Sequence, residues 1–151
     1  MNSLLRKKLK SNFGSTFDSR EIILIKKILK SKDTLTRGKY IENFEKKLKK
    51  KIGCKYLLAT SSGSSALELS SLALNLKKND EVIVQSNSYW TAISHLLKIG
   101  VKIICCDIDN NLLINKKHLK SLINKKTKAI YIFHHGGLLI DVRSLKNELS
   151  I

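Results

Sequence analysis

The chain has 151 residues, of which 42% are hydrophobic, so it is the size of one ordinary domain with enough apolar side chains for a core. No stretch approaches the roughly 18 uninterrupted apolar residues of a membrane span, and residues 1–12 lack the apolar core of a secretory signal. Composition therefore predicts a globular cytoplasmic protein and excludes membrane-spanning and secreted classes.

The net charge of +17 is spread along the whole chain. Lysines are scattered through every segment and are not gathered on one element with interleaved aromatic residues, and proline is absent. A protein that binds nucleic acid through the phosphate backbone gathers its basic residues on one surface instead. We therefore expect solvated helix faces, with a basic nucleic-acid-binding domain as the remote alternative.

The cysteines do not have the spacing of a metal or disulfide site. Cys54, Cys105 and Cys106 form no CxxC pair, and the adjacent two would point to opposite faces of a strand. We predict buried free thiols and no metal site.

The N-terminal third predicts two helices. Asp18 and Glu21 have the spacing of a capping box, so a helix should begin there. A second helix is indicated by apolar residues at a spacing of four, namely Tyr40, Phe44, Leu48 and Ile52. Residues 1–54 are thus predicted to form an N-terminal helical arm.

The rest of the chain alternates strands with helices. Four short runs rich in branched and aromatic residues predict buried strands: "KYLLA", "DEVIVQ", "KIICCD" and "AIYIFH". Helices are predicted at Ser64–Leu76, Ser88–Lys98 and Lys116–Ile123, with a weak last helix in "DVRSLKNELS". This pattern predicts an α/β fold with a mostly parallel sheet over residues 55–151.

Two segments carry the chemistry. "TSSGSSA" should lie where a strand leads into a helix, and free amides at Ser64 and Ser65 would make that helix start an anion site, with phosphate as the usual occupant. The same pattern is at least as often found in a helix cap that binds no ligand. Tyr89 and Trp90 follow the second predicted strand, where an aromatic ring can stack on a flat ligand, although core packing suits Trp90 better.

The order of the motifs resembles the DegT/DnrJ/EryC1/StrS aminotransferases, which are pyridoxal-phosphate enzymes. The resemblance covers roughly residues 15–145 and rests on five segments in order: "GKYIENFEKKL", "SSGSSALEL", "NDEVIVQSNSYWTAI", "LKIGVKIICCDID" and "KTKAIYIFHHGG". It implies the first part of the large domain of fold type I aminotransferases. Residues 55–151 would then be an incomplete cofactor-binding domain.

The resemblance also implies the site residues. Gly63, Ser64 and Ser65 match the loop that binds the cofactor phosphate, and Tyr89 matches the ring that stacks on the pyridine. Asp107 and Asp109 match an Asp-x-Asp motif that we expect to cap a turn.

Several positions depart from the family pattern. The family pattern has proline at four positions where this chain has other residues: Gln85, Ile103, Ile132 and Leu139. Leu138 stands where the family usually has glutamine. His134 matches a frequent family histidine, whereas His135 does not. The positions of the Schiff-base lysine and of the aspartate that pairs with the pyridine nitrogen fall beyond residue 151. We therefore expect no catalytic residue within these 151 residues and no activity of this chain alone.

The resemblance implies transfer of an amino group, with glutamate as the expected donor, to a keto sugar linked to a nucleotide, by a homodimer. Two alternatives remain open: a sugar dehydratase of the same family, which uses histidine in place of the lysine, and a degenerate or split fragment without catalytic function.

Overall fold

The computed structural model describes residues 17–32, 36 and 38–149. The chain divides between Ala59 and Thr60 into two compact units. The boundary predicted between residues 54 and 55 stays a prediction, and residues 1–16 of the predicted arm lie outside the described part. In that part, no helix is long and apolar enough to cross a membrane.

The first unit contains two helices, α1 (Ser19–Lys30) and α2 (Lys39–Ile52). The predicted capping box begins α1, because the Asp18 carboxylate accepts the Arg20 amide and the Glu21 side chain accepts the Asp18 amide. Gly53 ends α2 in the left-handed conformation at φ 76°, which favours glycine. Both helices predicted for this region are confirmed.

The predicted strand "KYLLA", residues 55–59, is not formed. It has no ladder partner among the described residues, and its Ala59 amide donates instead to the Glu45 carboxylate at 2.8 Å. Its large side chains, Tyr56 and Leu58, are exposed. A strand exists only where a neighbour accepts its backbone hydrogen bonds, so apolar composition alone was a misleading signal here.

The second unit alternates helices and strands as predicted. In chain order it contains α3 (Gly63–Ala73), β1 (Glu81–Gln85), α4 (Thr91–Ile99), β2 (Lys102–Cys106), α5 (Lys116–Leu122), β3 (Thr127–Tyr131), a 3₁₀ turn (His135–Gly137) and α6 (Val142–Leu149). The predicted start of α4 at Ser88 was wrong. The Ser88 amide and hydroxyl both donate to the Gln85 carbonyl, so residues 86–90 form a loop.

The three strands form a parallel sheet in the order β2-β1-β3. All five residues of the central strand β1 are buried, as expected for a strand covered on both faces. Ile83 packs into a core cluster with Leu119 of α5 and Leu145 of α6. Val82 and Val84 point to the opposite face, where Leu96 of α4 covers them.

The adjacent cysteines face opposite ways, as predicted. Cys105 is exposed, whereas Cys106 is fully buried, and both are free thiols. Burial, with a smaller contribution from the Asp107 charge, raises the pKa of the Cys106 thiol to about 11. The prediction that the cysteines are buried holds for Cys106 and is wrong for Cys105.

This difference predicts selective labelling. In a Cys54→Ser chain at pH 8, an aromatic disulfide reagent should modify Cys105 at least about 100-fold faster than Cys106, because the raised pKa removes the thiolate and burial blocks access. The time course of absorbance checks this, and both thiols should react at similar rates in urea. A single rate for both in the folded chain would contradict the burial of Cys106.

Candidate functional site

The first turn of α3 is surrounded by hydroxyl groups. We call residues 60–65 the serine-rich turn. Ser62 is the N-cap, and its hydroxyl accepts the Ser65 amide at 3.1 Å. The Ser65 hydroxyl lies 3.0 Å from that of Ser62 and 3.2 Å from that of Ser61, while the Thr60 hydroxyl donates to the Ser62 carbonyl at 2.8 Å. The turn therefore presents several polar groups at one helix end.

The free amides are not quite those that were predicted. Helix α3 begins one residue earlier than expected, at Gly63, and the cap already satisfies the Ser65 amide. Among the described residues, the amides of Gly63 and Ser64 have no acceptor. Gly63 thus supplies a donor that the sequence argument had placed at Ser65. Two unpaired amides at the positive end of a helix suit an anion.

The loop after β1 carries two exposed aromatic side chains. Tyr89 is 68% exposed and Trp90 is 63% exposed. The core packing favoured for Trp90 was wrong, because α4 turns Ala92, His95 and Leu96 inward and places Trp90 on the other side of the helix. Among the described residues, no hydrogen bond joins Tyr89 to the serine-rich turn, and joint contact of the two with one ligand stays a prediction.

Gln85, which ends β1, was missed as a functional candidate. Its side chain is 1% exposed, and its amide nitrogen donates to Asn87 Oδ1 at 2.7 Å and to the Leu112 carbonyl at 3.1 Å. Its amide oxygen accepts the Phe133 backbone N–H at 3.4 Å. The signal in the sequence is a polar residue that directly follows the apolar run Val82, Ile83 and Val84.

The remaining polar candidates have local structural roles. Asp109 accepts the amides of Asn111 and Leu113, which confirms the predicted turn cap. The Asp107 carboxylate lies 3.0 Å from His118 Nδ1. His134 Nδ1 accepts the Ile140 amide at 3.1 Å. In the described ranges, no group of three or more His, Cys, Asp or Glu side chains is arranged to hold a metal ion.

The sequence profile of the DegT/DnrJ/EryC1/StrS aminotransferase family matches residues 16–148. The chain belongs to this family. Curated relatives include the GDP-perosamine synthase of Vibrio cholerae, 33% identical over 74% of this chain and 31% of that protein. The GDP-4-keto-6-deoxy-D-mannose 3-dehydratase of Escherichia coli O55:H7 is 38% identical over 78% of this chain and 32% of that protein.

Solved structures of DegT-family proteins share the fold. The E. coli GDP-4-keto-6-deoxy-D-mannose-3-dehydratase with bound hydrated pyridoxal phosphate superposes with a TM-score of 0.83 at 33% identity. The match covers 91% of this chain and 37% of that one. A Streptococcus pneumoniae protein described as a putative sugar aminotransferase has a TM-score of 0.81 at 24% identity, which supports the fold alone. The chain spans about a third of the length of the curated relatives it matches.

Pyridoxal phosphate is the cofactor of the DegT family, and solved relatives contain it. The described residues fit its phosphate end, because the free amides of Gly63 and Ser64 lie in a turn rich in hydroxyl donors. The ring of Tyr89 is exposed, and its stacking on the pyridine stays a prediction.

Proposed function

We propose that this chain forms the phosphate-binding and ring-stacking part of a pyridoxal-phosphate enzyme that aminates a keto sugar linked to GDP. The observation that carries the proposal is the pair of unpaired amides at the start of α3, in a member of the DegT family. The relative named as a GDP-perosamine synthase supports the nucleotide.

Each group has a distinct task in this proposal. The amides of Gly63 and Ser64 donate to phosphate oxygens, and the positive end of α3 favours the phosphate charge. The hydroxyls of Ser61 and Ser62 add donors once they turn from their present partners. The Tyr89 ring covers one face of the pyridine. When bound, pyridoxal phosphate supplies an electron sink for bonds next to the transferred nitrogen.

The amino donor and the oligomeric state of the complete enzyme are proposed from the family resemblance. Glutamate is the proposed amino donor, the complete enzyme is proposed to be a cytoplasmic homodimer, and no residue of this chain is assigned a catalytic role. Solved relatives carry a glutamate adduct of the cofactor and GDP-perosamine, which supports these substrate classes.

A sugar dehydratase is the second candidate. It is favoured by two relatives named as GDP-4-keto-6-deoxy-D-mannose 3-dehydratases, at 38% and 37% identity. The product separates the two reactions: transamination adds the donor's nitrogen to the sugar, whereas dehydration removes a hydroxyl. Mass spectrometry of the sugar product formed by the complete enzyme, with ¹⁵N-glutamate as the donor, distinguishes them.

The phosphate site is tested by removing one amide. Proline is tolerated at the first position of a helix, and Ser62 before it already has the extended backbone that proline requires, with φ −160° and ψ 164°. Gly63→Pro should therefore keep α3 and raise the Kd of pyridoxamine phosphate about tenfold or more, since it removes one hydrogen bond to a charged group. Calorimetry measures the Kd. The amine form of the cofactor is chosen because an aldehyde would react with the many surface lysines.

Gly63→Ala is the matched control. A Cβ at Gly63 meets no atom within 4 Å, and this variant keeps the amide, so its affinity should stay within about twofold of the original chain. Equal affinities of the proline and alanine variants would reject the phosphate site at this helix start. Binding of DNA that falls steeply between two salt concentrations, with no binding of pyridoxamine phosphate, would favour the nucleic-acid alternative.

A further inference from the structure

We propose that Gln85 is the positioning residue that holds the Tyr89 loop in its binding arrangement. As a role in cofactor binding, this inference rests on the function proposed above. Gln85 lies at the end of the central strand, and its buried side-chain amide connects three segments that come from distant parts of the sequence.

The bonds to the loop are direct. Gln85 donates to Asn87 Oδ1 at 2.7 Å, two residues before Tyr89. The Asn87 amide nitrogen and the Gln85 amide nitrogen both donate to the Leu112 carbonyl, at 3.0 and 3.1 Å. The Gln85 backbone carbonyl also accepts the Ser88 amide at 3.0 Å. Hydrogen bonds thus hold the loop at Asn87 and at Ser88, directly before Tyr89.

The Gln85 side chain also contacts the segment that follows β3, the strand that pairs with β1 on the side away from β2. Its oxygen accepts the backbone N–H of Phe133, just after β3. Both hydrogens of the Gln85 amide and its oxygen are therefore engaged, and a buried group in such a network has one favoured orientation. The loop after β1, the turn at Leu112 and the chain after β3 are set relative to one another by this single residue.

The bonds of Gln85 help to set the positions of the exposed Tyr89 and Trp90 rings. The side chains of Tyr89 and Trp90 are 68% and 63% exposed. Their carbonyls accept amides from the first turn of α4, so the bonds of residues 86–88 on one side and α4 on the other set where the two rings lie. A loop that samples several arrangements binds with its affinity reduced to the fraction of time that it spends in the competent arrangement. Gln85 keeps the competent arrangement populated.

Trp90 is the single tryptophan of the chain, so tryptophan fluorescence reports on the point where this loop enters α4. Gln85→Met keeps the length of the side chain and removes all three hydrogen bonds. We expect lower anisotropy of Trp90 in the absence of any ligand and a rise of about tenfold in the Kd of pyridoxamine phosphate. Asn87→Ala, which leaves the bonds of Gln85 to Leu112 and Phe133, should change both quantities in the same direction by less.

Leu119→Val controls for loss of stability, because Leu119 is buried on α5 in a core cluster that includes no residue of the loop at 86–90. It should leave the anisotropy of Trp90 unchanged at a temperature where all variants are folded. Anisotropy that stays the same in Gln85→Met, or falls equally in Leu119→Val, overturns the positioning role. If the original chain does not bind pyridoxamine phosphate, the proposed function fails, while the ligand-free anisotropy still decides the role of Gln85.

Discussion

Replacing Ser71 by alanine is expected to lower the free energy of unfolding by about 2–4 kcal/mol, since it removes a hydrogen-bond partner from the buried His95 imidazole and from the half-buried Tyr131 hydroxyl. Ser71 lies on α3 and is completely buried. Its hydroxyl lies 2.9 Å from the Leu67 carbonyl, 2.7 Å from His95 Nε2 and 2.6 Å from the Tyr131 hydroxyl. One hydroxyl thus connects α3, α4 and β3.

The proton positions follow from the number of donors that each group has. A carbonyl only accepts, so the Ser71 hydroxyl donates to Leu67 and accepts from His95 Nε2–H and from the Tyr131 O–H. Among the described residues, the buried Nδ1 atom of His95 has no hydrogen-bond partner. The network already contains one unsatisfied atom, and Ser71→Ala would add two more.

Urea unfolding followed by circular dichroism measures this effect. Ser70→Ala is the matched control, because Ser70 is exposed and its hydroxyl donates to the Ala66 carbonyl of its own helix. Its effect should stay within about 0.5 kcal/mol. Adding Tyr131→Phe to Ser71→Ala should recover part of the loss, because it removes one orphaned hydroxyl. Equal midpoints for Ser70→Ala and Ser71→Ala would show that the network contributes nothing to stability.

The sequence predicted the features that depend on local patterns. The capping box at Asp18, the apolar periodicity of α2 and the alternation of helix and strand after residue 60 are all properties of neighbouring residues. The opposite directions of Cys105 and Cys106 follow from the two-residue period of a strand. Such features need no knowledge of the tertiary structure.

The features that the sequence could not predict depend on distant partners. Residues 55–59 have strand-like composition, but pairing requires a neighbour that composition does not reveal. The Ser71 network joins residues 24 and 60 positions apart, and Gln85 meets Phe133 across 48 positions. Gln85 was noted only as a site where the family has proline, although its buried amide organises the loop that carries Tyr89.

The outer edge of β3 predicts association that increases with salt. Strand β3 is at the edge of the described sheet and pairs there only with β1. Between β3 and α6 lies an open groove of about 560 Å³, lined by apolar side chains including Ile130, Ile132 and Val142. An unpaired strand beside an apolar groove is a surface on which a second chain can pair.

Charge opposes this association at low salt. Lys125, Lys128 and Lys146 line the same groove, and the whole chain carries +17. Screening shortens the range of this repulsion from about 10 Å at 0.1 M salt to about 3 Å at 1 M. We therefore expect a monomer of 17.1 kDa at low salt and a rising average mass as NaCl increases. Sedimentation equilibrium across a salt series measures it.

Two lysine substitutions locate the contact. Val142→Lys adds a charge within the groove and should keep the chain monomeric in 1 M NaCl. Association would bury this charge without a partner, and that unfavourable free energy remains when salt screens the repulsion between the chains. Leu97→Lys adds the same charge at an exposed position of α4, outside the groove, and should associate like the original chain. If both variants associate equally, the contact lies elsewhere on the molecule; if the original chain stays monomeric in 1 M NaCl, the β3 edge is not a surface that recruits a second copy.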